Sequence, residues 1–351
     1  VSAAEPVRIG VVGADVPRQI VLAAGATPVR LFGAWEGDTS AHARELLGAV
    51  DAVAVRLLDD LLAGRCDDLS ALVVCNDSAA HLRLFYVLRV LASRGDVPFG
   101  VHLLDAPRAG GAPRRRFVSW QYARLAGFVS EQTGRTVDAD ALGRAAAREA
   151  RLVREIDRMR ARRMDGTCSG AAALDAYRAA LTLPPEQAAD VVAGAVEPAS
   201  GAVPVVVTGS THPASSVYTA IEREGLRIVG EDHDAGDAAW IGAGVEAATP
   251  QRAFDALAEA HVARPPAAAR STSAERAEAL RELVSAAGAR AVLAVARDLD
   301  DAPAWDLSAQ RAVLEPLGVQ VEAALRIGAD EAVSAVAEPA RRIAENQGER
   351  A

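Results

Sequence analysis

Apolar residues come in short, dense runs near the start of the chain. Val7–Val12 closes on Gly13, Thr27–Phe32 follows a break at Gly25, and Ala71–Cys75 and Phe99–Leu104 complete a set of four. Short runs that are apolar on both faces and bounded by glycine or polar residues predict buried parallel strands. Between them, at 41–47 and 51–63, the apolar positions recur at three and four, which predicts helices. Pro17 suits a helix first turn, and Ser78 is placed to cap a helix through Leu91. From about Arg116 to Ala193 only helical periodicity is present. Segment 139–164 alternates Arg and Glu with apolar residues and reads as one long amphipathic helix, started by Thr136, Asp138 and Asp140. Leu183–Pro185 interrupts the next pair of helices. After the loop Glu197–Gly201 the strand-like runs return at 203–207, 226–229, 291–295 and 319–325, with helices at 274–287 and 308–317 among the segments between.

Strands separated by helices need crossover connections and hence parallel sheets. The expected fold class is α/β: two doubly wound parallel-sheet domains of flavodoxin- or Rossmann-like type with a helical connector. The expected boundaries are 1–115, 116–200 and 201–351. Ligands of such sheets sit beyond the carboxyl ends of the strands. That directs attention to Gly13–Asp15, Cys75–Asp77, Gly209–Thr211 and Arg297–Asp301.

Composition narrows the classes. The chain has 351 residues, half of them hydrophobic, with few aromatics, so its cores are aliphatic. A net charge of −9 argues against nucleic acid as a partner. Arg114–Arg116 reads as a solvated helix start. No run reaches a membrane span and Val7–Val12 lacks the features of a signal peptide, so a cytoplasmic protein is expected. Every basic residue is Arg, which excludes Schiff-base and lysine-base chemistry. The three cysteines, Cys66, Cys75 and Cys168, form no CxxC pair, and a disulfide scaffold is not expected.

Local motifs are weak. Thr208–Pro213 joins a strand to a helix start that suits a phosphate or thioester oxygen, but a capped helix needs the same residues. Gly10 and Gly13 lack the full dinucleotide fingerprint. His212 and His233 stand in candidate site loops, and Glu231–Asp234 reads as a group that titrates or binds a cation or, as preferred here, as a solvated loop. There is no HExxH and no GxSxG. His81 is expected on a helix face and His102 in a strand, with Trp120 and Tyr122 packing a helix.

Ordered along the chain are Gly13–Pro17, then Val21–Arg30, then Gly134–Leu142 with Arg151 and Arg154, then Trp305, Asp306, Leu307, Ser308 and Arg311 followed by Leu317 and Gly318. This ordered set resembles the subunits of the 2-hydroxyacyl-CoA dehydratase and benzoyl-CoA reductase family, the D-component of 2-hydroxyglutaryl-CoA dehydratase in particular. The resemblance implies paired homologous subunits and a [4Fe–4S] cluster held by three Cys between two α/β domains. It also implies a one-electron activator and a ketyl radical on a CoA thioester.

This sequence departs from that pattern at the ligands. Arg56 and Leu61–Gly64 put the first ligand position at Ala52, Asp77 puts the second at Asn76, and Asp306 puts the third at Asp300. Gln19 stands where the family has a Glu. Cys75, one residue early, reads as a shifted ligand or, better, as a small buried hydrophobe. Asn76, Asp77, Asp300 and Asp301 form either an oxygen-rich pocket or, as preferred here, helix caps and drift, so no metal is expected. Asp15, Gln19, Asp77, Ser210, Thr211, Asp301 and Trp305 are the candidate cleft residues.

Two functions follow. The first is a cluster-free subunit that pairs with a homologous cluster-bearing chain, or with itself, and binds no cofactor alone. The second is an iron-free enzyme that binds an acyl-CoA or small acid for hydration, isomerisation or hydrolysis.

Overall fold

The computed structural model describes residues 7–108, 111–242, 244–328 and 330–348. The first sheet takes strands β1 (Arg8–Val12), β2 (Thr27–Arg30), β3 (Ala71–Cys75) and β4 (Gly100–Leu104), all parallel, in the order β2-β1-β3-β4. Helices α1 (Arg18–Ala23), α2 (Ala41–Leu47), α3 (Ala52–Leu62) and α4 (Ala79–Arg94) make the crossovers. β3 is buried at every position, as a central strand covered on both faces must be.

A helical run follows: α5 (Gly111–Thr133), α6 (Ala139–Asp165), α7 (Gly170–Thr182) and α8 (Pro185–Ala193). Asp138 caps α6 by accepting from the Ala141 N–H, and Gly166 ends it in a left-handed turn.

The second sheet repeats the first in topology. Its strands β5 (Val203–Gly209), β6 (Leu226–Glu231), β7 (Ala291–Arg297) and β8 (Gln320–Ile327) are parallel in the order β6-β5-β7-β8. Helices α9 (Ser216–Arg223), α10 (Pro250–Val262), α11 (Ser273–Ala287), α12 (Asp301–Leu314) and α13 (Ala332–Gly348) complete the chain. The architecture is the expected α/β class, two four-stranded parallel sheets flanked by helices. Helix α10, although late in the chain, lends Phe254 and Leu257 to the core of the first sheet beside Tyr122 and Leu125 of α5. Among the described residues no helix is long and apolar enough to cross a membrane.

Two expectations about the last crossover need correction. α12 begins at Asp301 rather than Ser308, because Pro303 sits in its first turn, where a missing N–H costs nothing. Asp301 does not cap it. Asp300 holds the cap position, and its side chain caps nothing because it is bound elsewhere.

Candidate functional site

In each sheet the strand order reverses between the first and third strands in sequence, β1 and β3 or β5 and β7. A crevice opens beyond the carboxyl ends of such strands. The two crevices face each other and enclose a cavity of about 360 Å³. The first sheet supplies Asp15, Arg30, Asp77 and His81 to its wall; the second supplies Ser210–Thr211, Asp232–Asp234, Arg297 and Leu299–Pro303.

Glycine permits the tight geometry at two points. Gly13 has φ +93°, and a Cβ there would lie 2.5 Å from the Asp77 carboxylate. Without it, that carboxylate lies over the β1 turn, and the Ala14 N–H donates to Asp77 Oδ2 at 2.7 Å. Gly209 has φ +123°, and a Cβ would lie 2.2 Å from the Val295 carbonyl oxygen. The end of β5 can run against β7 only with glycine there.

Asp77 leads into α4. Ser78 caps that helix by accepting from the His81 N–H at 3.1 Å, so Asp77 is free of the capping role expected for it. Its Oδ1 lies 2.5 Å from His81 Nδ1. Burial opposes the charge on Asp77, but the His81 charge and hydrogen bond outweigh it and hold the carboxyl below its usual range. Burial likewise opposes the His81 charge, and Asp77 overrides it and raises the imidazole.

Arginines from both sheets cross the cleft. Arg30, at the end of β2, pairs with Asp234 after β6 at 3.2 Å. Asp234 also accepts from Thr211 Oγ1 at 2.5 Å. Burial resists its ionisation, yet Arg30 and Thr211 hold it well below the carboxylate range. Arg297, at the end of β7, stands 3.4 Å from Asp51, the cap of α3, and 3.5 Å from Asp300. Asp300 in turn accepts from Ser210 Oγ at 2.6 Å. The Trp35 ring centroid lies 6.0 Å from the Arg297 guanidinium carbon.

Behind the wall runs a buried polar chain. His233 Nε2 lies 2.8 Å from Tyr218 Oη, which donates to Glu231 at 3.3 Å. Arg163 Nη1 donates to both Glu231 oxygens at 3.0 and 2.8 Å, and its Nη2 bonds Asp237. Burial pushes Glu231 up to about 7 against the pull of Arg163, and lowers His233 to about 4. The loop after β6, expected to be solvated, is thus mostly inside: Glu231 and His233 are 1% and 3% exposed.

Of the sequence candidates, Asp15, Asp77, Ser210, Thr211, Asp300 and Asp301 line the cavity. Gln19 does not; it is buried and donates to the Leu142 and Val245 carbonyls. Trp305 does not either, being 78% exposed on the outer side of α12. Ala52 lines a smaller neighbouring cavity of about 120 Å³, with Trp35, Arg297 and Leu299. Asn76 lines neither and donates to Asp105 at 3.1 Å. Cys75 is fully buried, and its Sγ accepts from the Asp15 N–H at 3.3 Å. Burial pushes its thiol well up. Neither cavity has a cysteine in its wall. Among the described residues no group of three or more His, Cys, Asp or Glu is placed to hold a metal ion.

Sequence reasoning missed Arg30 and His81 as site residues and set Asp234 aside as part of a solvated loop. The signal for His81 was its place in the first turn of the helix that Asp77 leads into, within reach of that carboxylate. The Arg30–Asp234 pair spans two sheets and leaves no local trace.

A family model described as 2-hydroxyglutaryl-CoA dehydratase, D-component, matches residues 14–321. That span contains every residue that lines the larger cavity. No curated protein matches the chain.

Proposed function

This chain belongs to the 2-hydroxyglutaryl-CoA dehydratase D-component family, and we propose that it is a subunit that lacks its own [4Fe–4S] ligands and pairs with a homologous chain that keeps them. Together they form an acyl-CoA dehydratase or reductase complex. One observation carries the reading: the cleft wall mixes charged and hydroxylic groups with aliphatic side chains, and has no thiol in it. Iron–sulfur clusters are held by soft thiolates. The residues here do not fit that group. Ala52 offers a methyl group, the Asn76 amide is spent on Asp105, and Asp300 is held by Ser210 and Arg297. The Cys75 sulfur is turned into the core.

The test is an iron and acid-labile sulfide assay on the chain purified alone and on the chain co-purified with a Cys-bearing homologue. The expected result is no cluster alone and one in a stable pair by size-exclusion chromatography. A cluster on the isolated chain, or failure of the two to associate, would sink the reading.

The charged groups within the wall favour a second reading. The cleft binds an acyl-CoA or small acid for non-radical chemistry in an iron-free protein. Arg30 and Arg108 each leave a buried Nε without a protein partner, and both line the cavity. Donors of that kind suit an anionic group. Asp300→Ala is expected to weaken binding of a short acyl-CoA to the iron-free chain, measured by calorimetry, and unchanged affinity would count against it.

A further inference from the structure

We propose that Asp77 and His81 form an acid–base centre that moves a proton to and from a small anionic carbonyl compound held in the cleft. Four observations carry this. His81 lines the cavity and is about a quarter exposed, so its ring meets whatever enters. Its Nδ1 is fixed by Asp77 at 2.5 Å, while its Nε2 makes no hydrogen bond among the described residues. The other Asp77 oxygen is fixed by the Ala14 N–H at 2.7 Å, and Gly13 leaves the room for it. The backbone under the ring is set as well, since Ser78 caps the helix at the His81 N–H. An imidazole fixed through one nitrogen by a carboxylate, with the other facing a cavity, is the arrangement general acid–base chemistry needs. A salt bridge alone would need neither the cavity nor the second anchor on Asp77.

Charge in the wall defines the class of ligand. Arg30 and Asp234 are the charged groups from other elements that face His81. Arg30 keeps one unpartnered N–H within a side chain that is 8% exposed. A carboxylate or thioester oxygen is its natural partner. In the step itself, His81 Nε2 takes the proton from the carbon next to the carbonyl. The electron pair stays on the ligand as an enolate facing Arg30, and the imidazolium charge is balanced by Asp77. Return of the proton restores the C–H bond, so nothing is oxidised or reduced. His81 is the catalytic residue and Asp77 the positioning residue.

This inference deepens the second reading above, and the test separates the two. The full chain, alone and co-purified with its homologue, is incubated in deuterium oxide with propionyl-CoA or with 2-oxobutyrate. Binding is measured by calorimetry, and exchange next to the carbonyl is followed by proton NMR. Exchange is expected to rise with pH through the His81 ionisation. His81→Gln is expected to lower it about 100-fold or more while binding persists. Asp77→Asn is expected to move the midpoint to lower pH, because the charge that raises His81 is gone; a merely structural role would leave the midpoint in place. Should Asp77→Asn fail to fold, the His81 ring resonances of the wild-type chain, titrated with and without propionyl-CoA, give the second readout, and they are expected to shift. Binding with exchange that survives His81→Gln, or ring resonances blind to the ligand, overturns the acid–base role and leaves the second reading standing. No binding of either compound overturns both.

Discussion

Arg163 is the largest side chain to be fully buried, and it is buried among carboxylates. Its guanidinium holds Glu231 and Asp237 together. Arg163→Met leaves the Glu231 carboxylate inside without its cation, while Asp237 keeps Arg160 at 3.2 Å, and is expected to cost about 3–5 kcal/mol in urea unfolding. A loss below about 1 kcal/mol would mean that the pair relaxes to solvent. The Asp77–His81 pair gives stability a pH window. His81 is raised above its ordinary 6.5, so its contribution is complete below 6.5 and is lost as pH rises through the raised value. Asp77 is lowered from 3.8, so its contribution is complete above 3.8 and is lost as pH falls through the lowered value. Stability from the pair is therefore greatest between 3.8 and 6.5. Asp77→Asn is expected to flatten that window in unfolding measured across pH, and an unchanged profile would refute the coupling. Neither feature was plain in the sequence. A helix rich in Arg and Glu hides which arginine turns inward, and Asp77 read as a cap because it stands beside Ser78, which took that role.

Elements were more legible than residues. Buried parallel strands declare themselves as continuous apolar runs, and all eight were found at nearly their observed places. What was missed lies at their carboxyl ends. β5 and β7 each run two residues past the apolar stretch, to Gly209 and Arg297. Polar residues such as Thr208 and Arg297 end a hydrophobic pattern, yet here they are drawn in by partners in neighbouring loops of the same sheet. Pattern reading stops where the site begins, for the same reason that the site exists. Caps were clearer: Asp138 was read as a start signal for α6 and does accept from the Ala141 N–H at 2.7 Å. Asp138→Ala is expected to lower stability by about 1 kcal/mol, seen as a shift of the urea midpoint at constant slope.

At the scale of the whole molecule, the two sheets repeat one strand order and are tied across the crevice they share. Arg30–Asp234 and Arg297–Asp51 join the first sheet's side to the second at the wall, and Arg56 reaches Asp330 at 3.2 Å. Replacing Arg30 and Arg297 together by Met is expected to split a single calorimetric unfolding transition into two, one for each half. A single transition in that variant would show that the helical run, not the arginines, couples the halves. The family was legible because the ordered motifs extend over most of the chain, and the match over residues 14–321 agrees. The charge pairing across the cleft was not, since Arg30 and Asp234, like Asp51 and Arg297, stand more than 200 residues apart.

Those ties limit how a molecule enters. A swing of one sheet away from the other would break the Arg30–Asp234 and Arg297–Asp51 pairs at once. Leu299, by contrast, is half exposed at the rim of both cavities and already holds a left-handed backbone, at φ 61°. A ligand that enters past Leu299 would leave both pairs in place.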